Sequence, residues 1–406
     1  MLMSLQTTWQ CAWVCAGLFA ASAAPGFAAN PVFTTLHRFT GGADGSQPAG
    51  PLVFDGRDIY GATAGTITMG HFSCTPPNCG TVFKLNPATG AVTTLHNFAE
   101  DTNGYFPQAG LVSDGHMLYG FTSDGGTAGL GVAFRIDPNT KTETTLAQIS
   151  AIDQSPSPPF VYKGSLIGTA LNGATTTNAG SGTVYKIDLA SGATSALYGF
   201  KGELPGSKDA WYPAESAQLN PGMIYGTSVY GGKYTIGGTL WGVTPGKGKE
   251  QVVYSFHSPY AGLPEGANPA GQFALVGPIL YGAGGTGGTI NATSVVGCGS
   301  VFKFNFATNT FTVLHDFDGS DGYFPVAVVE VKGQLYVAAA LGGAYGFGAV
   351  VKVDEQTGQT SVVHAFTNGE DGYSPAELQV HDGVIYGETS YGFNAAPAGT
   401  IFTITP

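Results

Sequence analysis

The chain has 406 residues, of which 63 are Gly and only 10% are charged. Its net charge is −12 with just 15 Lys plus Arg, which excludes a basic surface for nucleic acid or for an anionic membrane. Aromatic and β-branched residues recur on a period, so the high Gly content does not mean disorder and the chain can bury a core.

Residues 1–29 read as a secretory signal peptide. An apolar stretch runs from Cys11 to Ala24, and Ala28-Ala29 before Asn30 suits a peptidase. The basic n-region is missing, since no Lys or Arg precedes Arg38. The apolar run is short for a membrane span, and no later run is long enough. Residues 30–406 are therefore expected as one exported domain with no span after signal removal. Export agrees with the cysteines. Cys74 and Cys79 bracket Thr-Pro-Pro-Asn and read as a small loop disulfide. Half a zinc site is the alternative, but no second Cys/His pair stands at ligand spacing. Cys298 is left over and reads as a buried thiol.

From Phe33 onward the chain repeats itself. A Pro opens an apolar run at Pro48, Pro107, Pro158, Pro213, Pro269, Pro325 and Pro375. An aliphatic-Tyr-Gly run follows at Tyr60, Tyr119, Tyr225, Tyr281 and Tyr386; Ile167 takes the Tyr slot in the third unit, and Val337 takes the Gly slot in the sixth. A third marker, Gly-x-aliphatic-aromatic-Lys, stands at Gly80–Leu85, Gly182–Ile187 and Gly299–Phe304. The fourth, Leu-His-x-Phe, stands at Leu36–Phe39, Leu95–Phe98 and Leu314–Phe317. Short apolar runs between turn residues are strands. The first fourth-type run, Phe33–Phe39, has no partners before it, and the last unit, ending at Gly399–Ile404, lacks one after it. The expectation is an all-β, seven-bladed β-propeller with four antiparallel strands per blade, closed by the N-terminal strand pairing with the C-terminal blade.

The motifs Asp-Gly-Tyr-Phe-Pro, Leu-Tyr-Gly and Gly-Thr-Val-Phe-Lys-Leu resemble the GloVer, or HAF-type, tandem repeats of secreted bacterial proteins, over about residues 31–406. The layout is also similar to kelch propellers. The resemblance implies a secreted, periplasmic or envelope location in a bacterium and brings no catalytic residues.

In such blades the loops after strands one and three are short, and those after strands two and four share the other face. Length variation is concentrated there, in Thr63–Cys79, Thr227–Gly237, Ala283–Cys298, Lys201–Tyr212 and His257–Asn268. Variable insertions on one face mark a binding face. Its ligand candidates are Trp211, Tyr212, Tyr105, Tyr323 and Tyr373, with Asp209, Asp321 and Asp371. Rings stack on sugar C–H faces and carboxylates accept hydroxyl protons. The position four before each marker Pro holds Asp44, Asn103, Gln154, Asp209, Glu265, Asp321 and Asp371. An acid ring including Asp44, Asp321 and Asp371 could hold Ca²⁺; otherwise no cofactor is implied. Taken singly, an Asp before Gly is a turn residue, and Tyr-Phe or Trp-Tyr before Pro can wedge between blades. His37, His96, His315 and His364 share a slot with Tyr198, Tyr254 and Ala147, which marks packing.

The leading expectation is a monomeric binding module for a glycan or protein partner on the long-loop face. The alternatives are a polysaccharide lyase or hydrolase, or a structural envelope protein. Lys201, Lys208, Lys233 and His257 break the repeat symmetry that an enzyme must break. The regular slots otherwise favour binding over catalysis, with fold analogy a weak guide to function.

Overall fold

A computed structural model describes residues 30–65, 74, 79–173, 180–202, 208–220, 222–247, 249–261, 263, 265–269, 271–288, 297–391 and 399–406, with side chains 215–220 and 391 left aside. The expected signal peptide, 1–29, lies outside the described residues. Seven four-stranded antiparallel sheets account for the strands. The first strand, β1 (Val32–Arg38), belongs to the last blade. Blade 1 is β2 (Val53–Asp55), β3 (Asp58–Thr63), β4 (Thr81–Leu85) and β5 (Val92–Asn97). Blade 2 is β6 (Tyr105–Ser113), β7 (Leu118–Asp124), β8 (Val132–Ile136) and β9 (Glu143–Gln148). Blade 3 is β10 (Phe160–Tyr162), β11 (Ser165–Ala170), β12 (Thr183–Asp188) and β13 (Thr194–Gly199). Blade 4 is β14 (Ala210–Asn220), β15 (Met223–Gly231), β16 (Thr239–Thr244) and β17 (Lys249–Ser255). Blade 5 is β18 (Ala274–Val276), β19 (Ile279–Gly284), β20 (Ser300–Asn305) and β21 (Thr310–Asp316). Blade 6 is β22 (Tyr323–Val331), β23 (Gln334–Leu341), β24 (Ala349–Asp354) and β25 (Thr360–Ala365). Blade 7 is β26 (Tyr373–His381), β27 (Val384–Tyr391), β28 (Thr400–Thr405) and β1. Strand β1 pairs with β28 from Val32↔Thr405 to Arg38↔Thr400, so the ring closes as expected.

Each marker has a backbone cause. The Gly of the second strand lies opposite the ring of the third: Gly61↔Phe83, Gly120↔Phe134, Gly168↔Tyr185, Gly226↔Trp241, Gly282↔Phe302 and Gly387↔Phe402. A methyl group on Gly226 would sit 2.2 Å from the Trp241 ring, and one on Gly61 2.4 Å from Phe83. Blade 6 has Val337 opposite Val351. There a smaller partner leaves room for a side chain, so the exception in the motif obeys the same volume rule.

The Gly that opens the third strand joins blades. It has a left-handed φ, from +88° at Gly238 to +101° at Gly182. A Cβ on Gly299 would meet the Pro325 ring at 2.5 Å, and one on Gly399 the Pro48 ring at 2.4 Å. At six seams the marker Pro of the following blade thus lies on this Gly; a Cβ on Gly131 would meet the Thr122 carbonyl first. The residue before the Pro is left-handed in all seven blades: Gln47, Phe106, Ser155, Tyr212, Asn268, Phe324 and Ser374 have φ of 52–59°. In five of them its N–H donates to the carbonyl just before the Gly: Phe106 to Cys79 (2.8 Å), Tyr212 to Ser181 (3.1 Å), Asn268 to Gly237 (2.7 Å), Phe324 to Cys298 (3.0 Å) and Ser374 to Phe347 (2.9 Å).

This geometry corrects one reading. Ser155 is the left-handed residue of blade 3, and Pro156 bridges to Ala170 as Pro48 does to Thr63. The marker of the third unit is Pro156, not Pro158. The preceding loop is one residue shorter than its counterpart, and Asp153 rather than Gln154 takes the acid slot. Asp153 Oδ1 accepts from Ser150 N and Oγ at 2.8 and 2.7 Å, as Asp44 accepts from Thr40.

The fourth strand carries one bulge in every blade, at Leu36, Leu95, Leu146, Leu197, Val253, Leu314 and Val363. A bulge bends the strand and raises its twist. The aromatic that follows, such as Phe39, Phe98, Phe200 or Phe366, is buried at each seam. Ile149 takes the place in blade 2.

The volume rule can be tested in blade 6. Val351→Phe alone should cost about 1–3 kcal/mol through overpacking. Adding Val337→Gly should restore more than half of that loss in urea denaturation.

Candidate ligand-binding face

The long-loop face holds an open cleft of about 340 Å³ where blades 2, 3 and 4 meet. Gln108 and Ala109 of blade 2 line one wall. Gln154, Ser155, Pro156, Ser157 and Pro158 line the next, and Pro213 and Ala214 of blade 4 the third. Thr169 Oγ1 donates to the Ala214 carbonyl at 2.9 Å and lies 3.1 Å from the Ser157 hydroxyl, tying the blade-3 and blade-4 walls together. This mixture of carboxamides, hydroxyls and proline rings suits a ligand with many hydroxyls and apolar C–H faces.

Directly before Pro213 stand Trp211 and Tyr212. Their rings stack at 4.9 Å with an interplanar angle of 23°, and Tyr230 lies 5.3 Å from Trp211 and 6.0 Å from Tyr212. Strand register places Trp211 opposite Tyr230. The left-handed φ of Tyr212 (52°) turns its side chain to the same side as Trp211 instead of the alternate face. All three rings are half-buried, so each keeps an open portion.

Of the expected site residues, the structure brings Asp209, Trp211 and Tyr212 together at the entry to blade 4. Tyr105, Tyr323 and Tyr373 hold the position of Trp211 in blades 2, 6 and 7, opposite Asp124, Leu341 and Tyr391. They are half-buried at separate seams. Tyr323 pairs with the exposed Leu341 (42%) of blade 6.

The acids before the marker Pro sit over the outermost strands. Five of them bond the ring that follows the bulge of the preceding blade. His37 meets Asp44 at 3.3 Å, Tyr198 donates to Asp209 at 2.7 Å and Tyr254 to Glu265 at 2.7 Å. His315 meets Asp321 at 2.6 Å and His364 meets Asp371 at 2.9 Å. The same carboxylates accept a backbone N–H from Thr40, Lys201, His257, Asp318 and Thr367. In the seam after blade 1, Asn103 replaces the acid beside His96, and after blade 2 Ala147 replaces the ring beside Asp153. Among the described residues, no three His, Cys, Asp or Glu side chains converge as a metal site would need.

Of the symmetry-breaking residues, Lys201 and Lys208 lie between blades 3 and 4, and Lys233 and His257 at the seam of blades 4 and 5. His257 stacks on Tyr234 at 3.9 Å and bonds Glu265, and Lys233 Nζ lies 4.8 Å from the Tyr234 ring centre. Cys74 and Cys79 form a disulfide with Cα atoms 5.2 Å apart, and Cys298 is buried. No helix among the described residues is long and apolar enough to cross a membrane.

Sequence reasoning missed the cleft, because Gln, Ser and Pro between strands look like turn residues. It also missed two glutamates. Glu143 and Glu250 hold the same register position in the fourth strands of blades 2 and 4, opposite Ile136 and Val243. Burial, then Asp101, pushes Glu143 up to about 7. Burial, then Asp209, holds Glu250 well above the carboxylate range.

The latch has a pH signature. Burial of Asp371 favours its neutral form, but hydrogen bonds from Thr367 and His364 outweigh this and hold its carboxyl below the ordinary value. Such a group contributes stability that is complete above its unfolded pKa of about 3.9 and is lost as pH falls through the lower folded value. Asp371→Asn should lower the denaturation midpoint at pH 7 and flatten its fall in acid, read from thermal unfolding between about pH 2 and 7.

Residues 26–160 and 157–402 match the family model described as the Gloeobacter/Verrucomicrobia repeat. No curated protein matches the chain. Among solved structures, the chain is similar in fold to the extracellular domain of a one-component system from B. thetaiotaomicron. The identity is 12% and the TM-score 0.58, over 92% of this chain but 39% of that one. It thus spans well under half of that protein. TolB from Acinetobacter baumannii (14% identity, TM-score 0.40) matches over 70% of this chain and 60% of its own. A chain of a nidogen/laminin complex (12%, 0.41) matches over 72% and 98%. With the repeat model covering nearly all of the propeller, the protein belongs to the Gloeobacter/Verrucomicrobia repeat family.

Proposed function

We propose that this propeller is an exported binding module that takes a glycan on its long-loop face, over blades 2 to 4. The observation that carries the reading is the cleft walled by Gln108, Gln154 and Pro213, with the Trp211–Tyr212–Tyr230 cluster reached directly before Pro213 in the chain. The rings offer flat apolar surface for the C–H face of a sugar, and the carboxamides and hydroxyls pair with its hydroxyls. A net charge of −12 with few cations favours neutral over strongly anionic glycans. The N-terminal apolar run and the fold's likeness to an extracellular domain support export. The module acts as a monomer in this reading.

A glycan array with residues 30–406, repeated with and without Ca²⁺, tests it. We expect saturable binding to one class of neutral glycan. Trp211→Ala should weaken it about tenfold or more, roughly 1.4 kcal/mol, and Gln154→Ala should weaken it less. Binding unchanged in both variants would move the site elsewhere, and loss on chelation would implicate the acids Asp44, Asp321 and Asp371. No binding at about 100 μM, near −5.5 kcal/mol, would reject the glycan reading in favour of a protein partner.

A further inference from the structure

One fourth-strand position decides what covers the ring of the preceding blade. In blade 7 it is Phe33, stacked on His364 at 3.6 Å and 3°. In blade 5 it is Phe311, stacked on Tyr254 at 4.3 Å and 3°. In blade 4 it is Glu250, the residue opposite Val243 as Phe311 is opposite Phe304. Here the cover over Tyr198 is a carboxyl group. It hydrogen-bonds the side chain of Asp209 and accepts from the Ala210 backbone N–H, while its oxygen Oε1 is buried with no partner.

Asp209 is 8% exposed and already heavily engaged. Its Oδ2 accepts from Tyr198 Oη at 2.7 Å and from Lys201 N at 2.9 Å, and Oδ1 accepts from Ala210 N at 2.9 Å. Three donors stabilise it as the anion. Two buried carboxylates in hydrogen-bond contact cannot both ionise, so the proton rests on Glu250, and Glu250 donates to Asp209. Of the groups that face the pair, Tyr198 is neutral, with its ionisation pushed up by burial and then by Asp209, Lys201 is a nearby cation, and Lys208 directly precedes Asp209 in the chain.

We propose that protonated Glu250 is a positioning residue for the binding face: by donating to Asp209 it clamps the segment that leads into Ala210, Trp211 and Tyr212 and so holds the aromatic cluster in place. The distance along the chain is short. Asp209 is two residues from Trp211, and Tyr212 N anchors to Ser181 O across the seam. Without the donor, Asp209 would keep Tyr198 and the backbone bonds while a buried oxygen faced it unpaired, and the entry segment would loosen. Among the seven blades, only blade 4 combines Glu at this position with an acid at the latch, and blade 4 also carries the Trp.

For ligand binding the proposal rests on the glycan reading, but the clamp can be tested without a ligand. Only two tryptophans, Trp211 and Trp241, follow residue 29. Trp241 is fully buried, so acrylamide quenching reports chiefly on Trp211. In residues 30–406 quenching should be low and constant near pH 7 and rise between about pH 8 and 10, as the proton is lost. Glu250→Gln keeps a donor and should give low quenching that stays flat over the same range. Glu250→Ala should give high quenching throughout, with thermal unfolding confirming that the propeller is folded. Equal quenching in wild type and Glu250→Ala at pH 7 would overturn the proposal. So would a rise in Glu250→Gln that matches the wild type, because tyrosine ionisation would then explain it. If a glycan binds, Glu250→Ala should weaken it about as much as Trp211→Ala and the pair should not add, whereas full additivity would also count against the clamp. If the quenching behaves as expected and no glycan binds, the glycan reading fails and the clamp stands.

Discussion

The ring depends on one joint repeated from seam to seam. At each seam a residue in a left-handed conformation precedes a Pro; at six the Pro ring lies on a Gly of the neighbouring blade, and at five of these the left-handed residue's N–H bonds the carbonyl beside that Gly. A left-handed non-Gly residue costs on the order of 1–3 kcal/mol. It is kept because the turn aims the Pro at the seam and replaces a strand bond by a bond between blades. The Gly cannot change, because a side chain there would occupy the place of the Pro. Since Gly399 meets Pro48 as Gly299 meets Pro325, the joint also sets closure: the last blade presents the first blade with the same surface as any other.

Two further constraints grade the blade from axis to rim. In the middle strands, volume decides, with a large ring facing Gly and a valine facing a valine. At the rim, polarity decides. The bulge turns the residue after it toward the next seam, and this residue is mostly His or Tyr with an acid to receive it. Ring and carboxylate are each costly to bury alone, and together they satisfy one another. The acids thereby serve packing first, which explains why they recur without gathering at one point.

The architecture was legible because each motif answers a backbone demand. Gly before the third strand, Pro at the seam, Leu at the bulge and Phe after it recur whatever else the blade does. The phase slipped only in unit three, where Ser-Pro-Ser-Pro-Pro offers three prolines and a one-residue deletion moves Asp153. No single-sequence rule separates Pro156 from Pro158; the left-handed φ of Ser155 does. The rings of the candidate site were legible because Trp and Tyr are conspicuous. The cleft was hidden, since Gln108, Gln154 and Ser157 are unremarkable until three blades bring them together. Glu250 was hidden too. In the chain it stands beside Lys249 and reads as a solvated charge, and only its register with Phe33 and Phe311 places it inside a seam.

The departures from the ring-and-acid pattern at the rim are not spread evenly. Asn103 without an acid, Ala147 without a ring, the shortened loop to Pro156, Glu143, and the Asp209–Glu250 pair all fall between the end of blade 1 and the outer strand of blade 4. Blades 5 to 7 keep the rule at the rim: Tyr254 with Glu265, His315 with Asp321, His364 with Asp371. A ring that needs the same joint from seam to seam can spare regularity only where something other than closure is served. The cleft and the Trp211 cluster occupy that same arc. Packing demands on each blade are the same, so they do not account for irregularity gathered on one side. A ligand that contacts one arc of the face, as proposed above, would account for it.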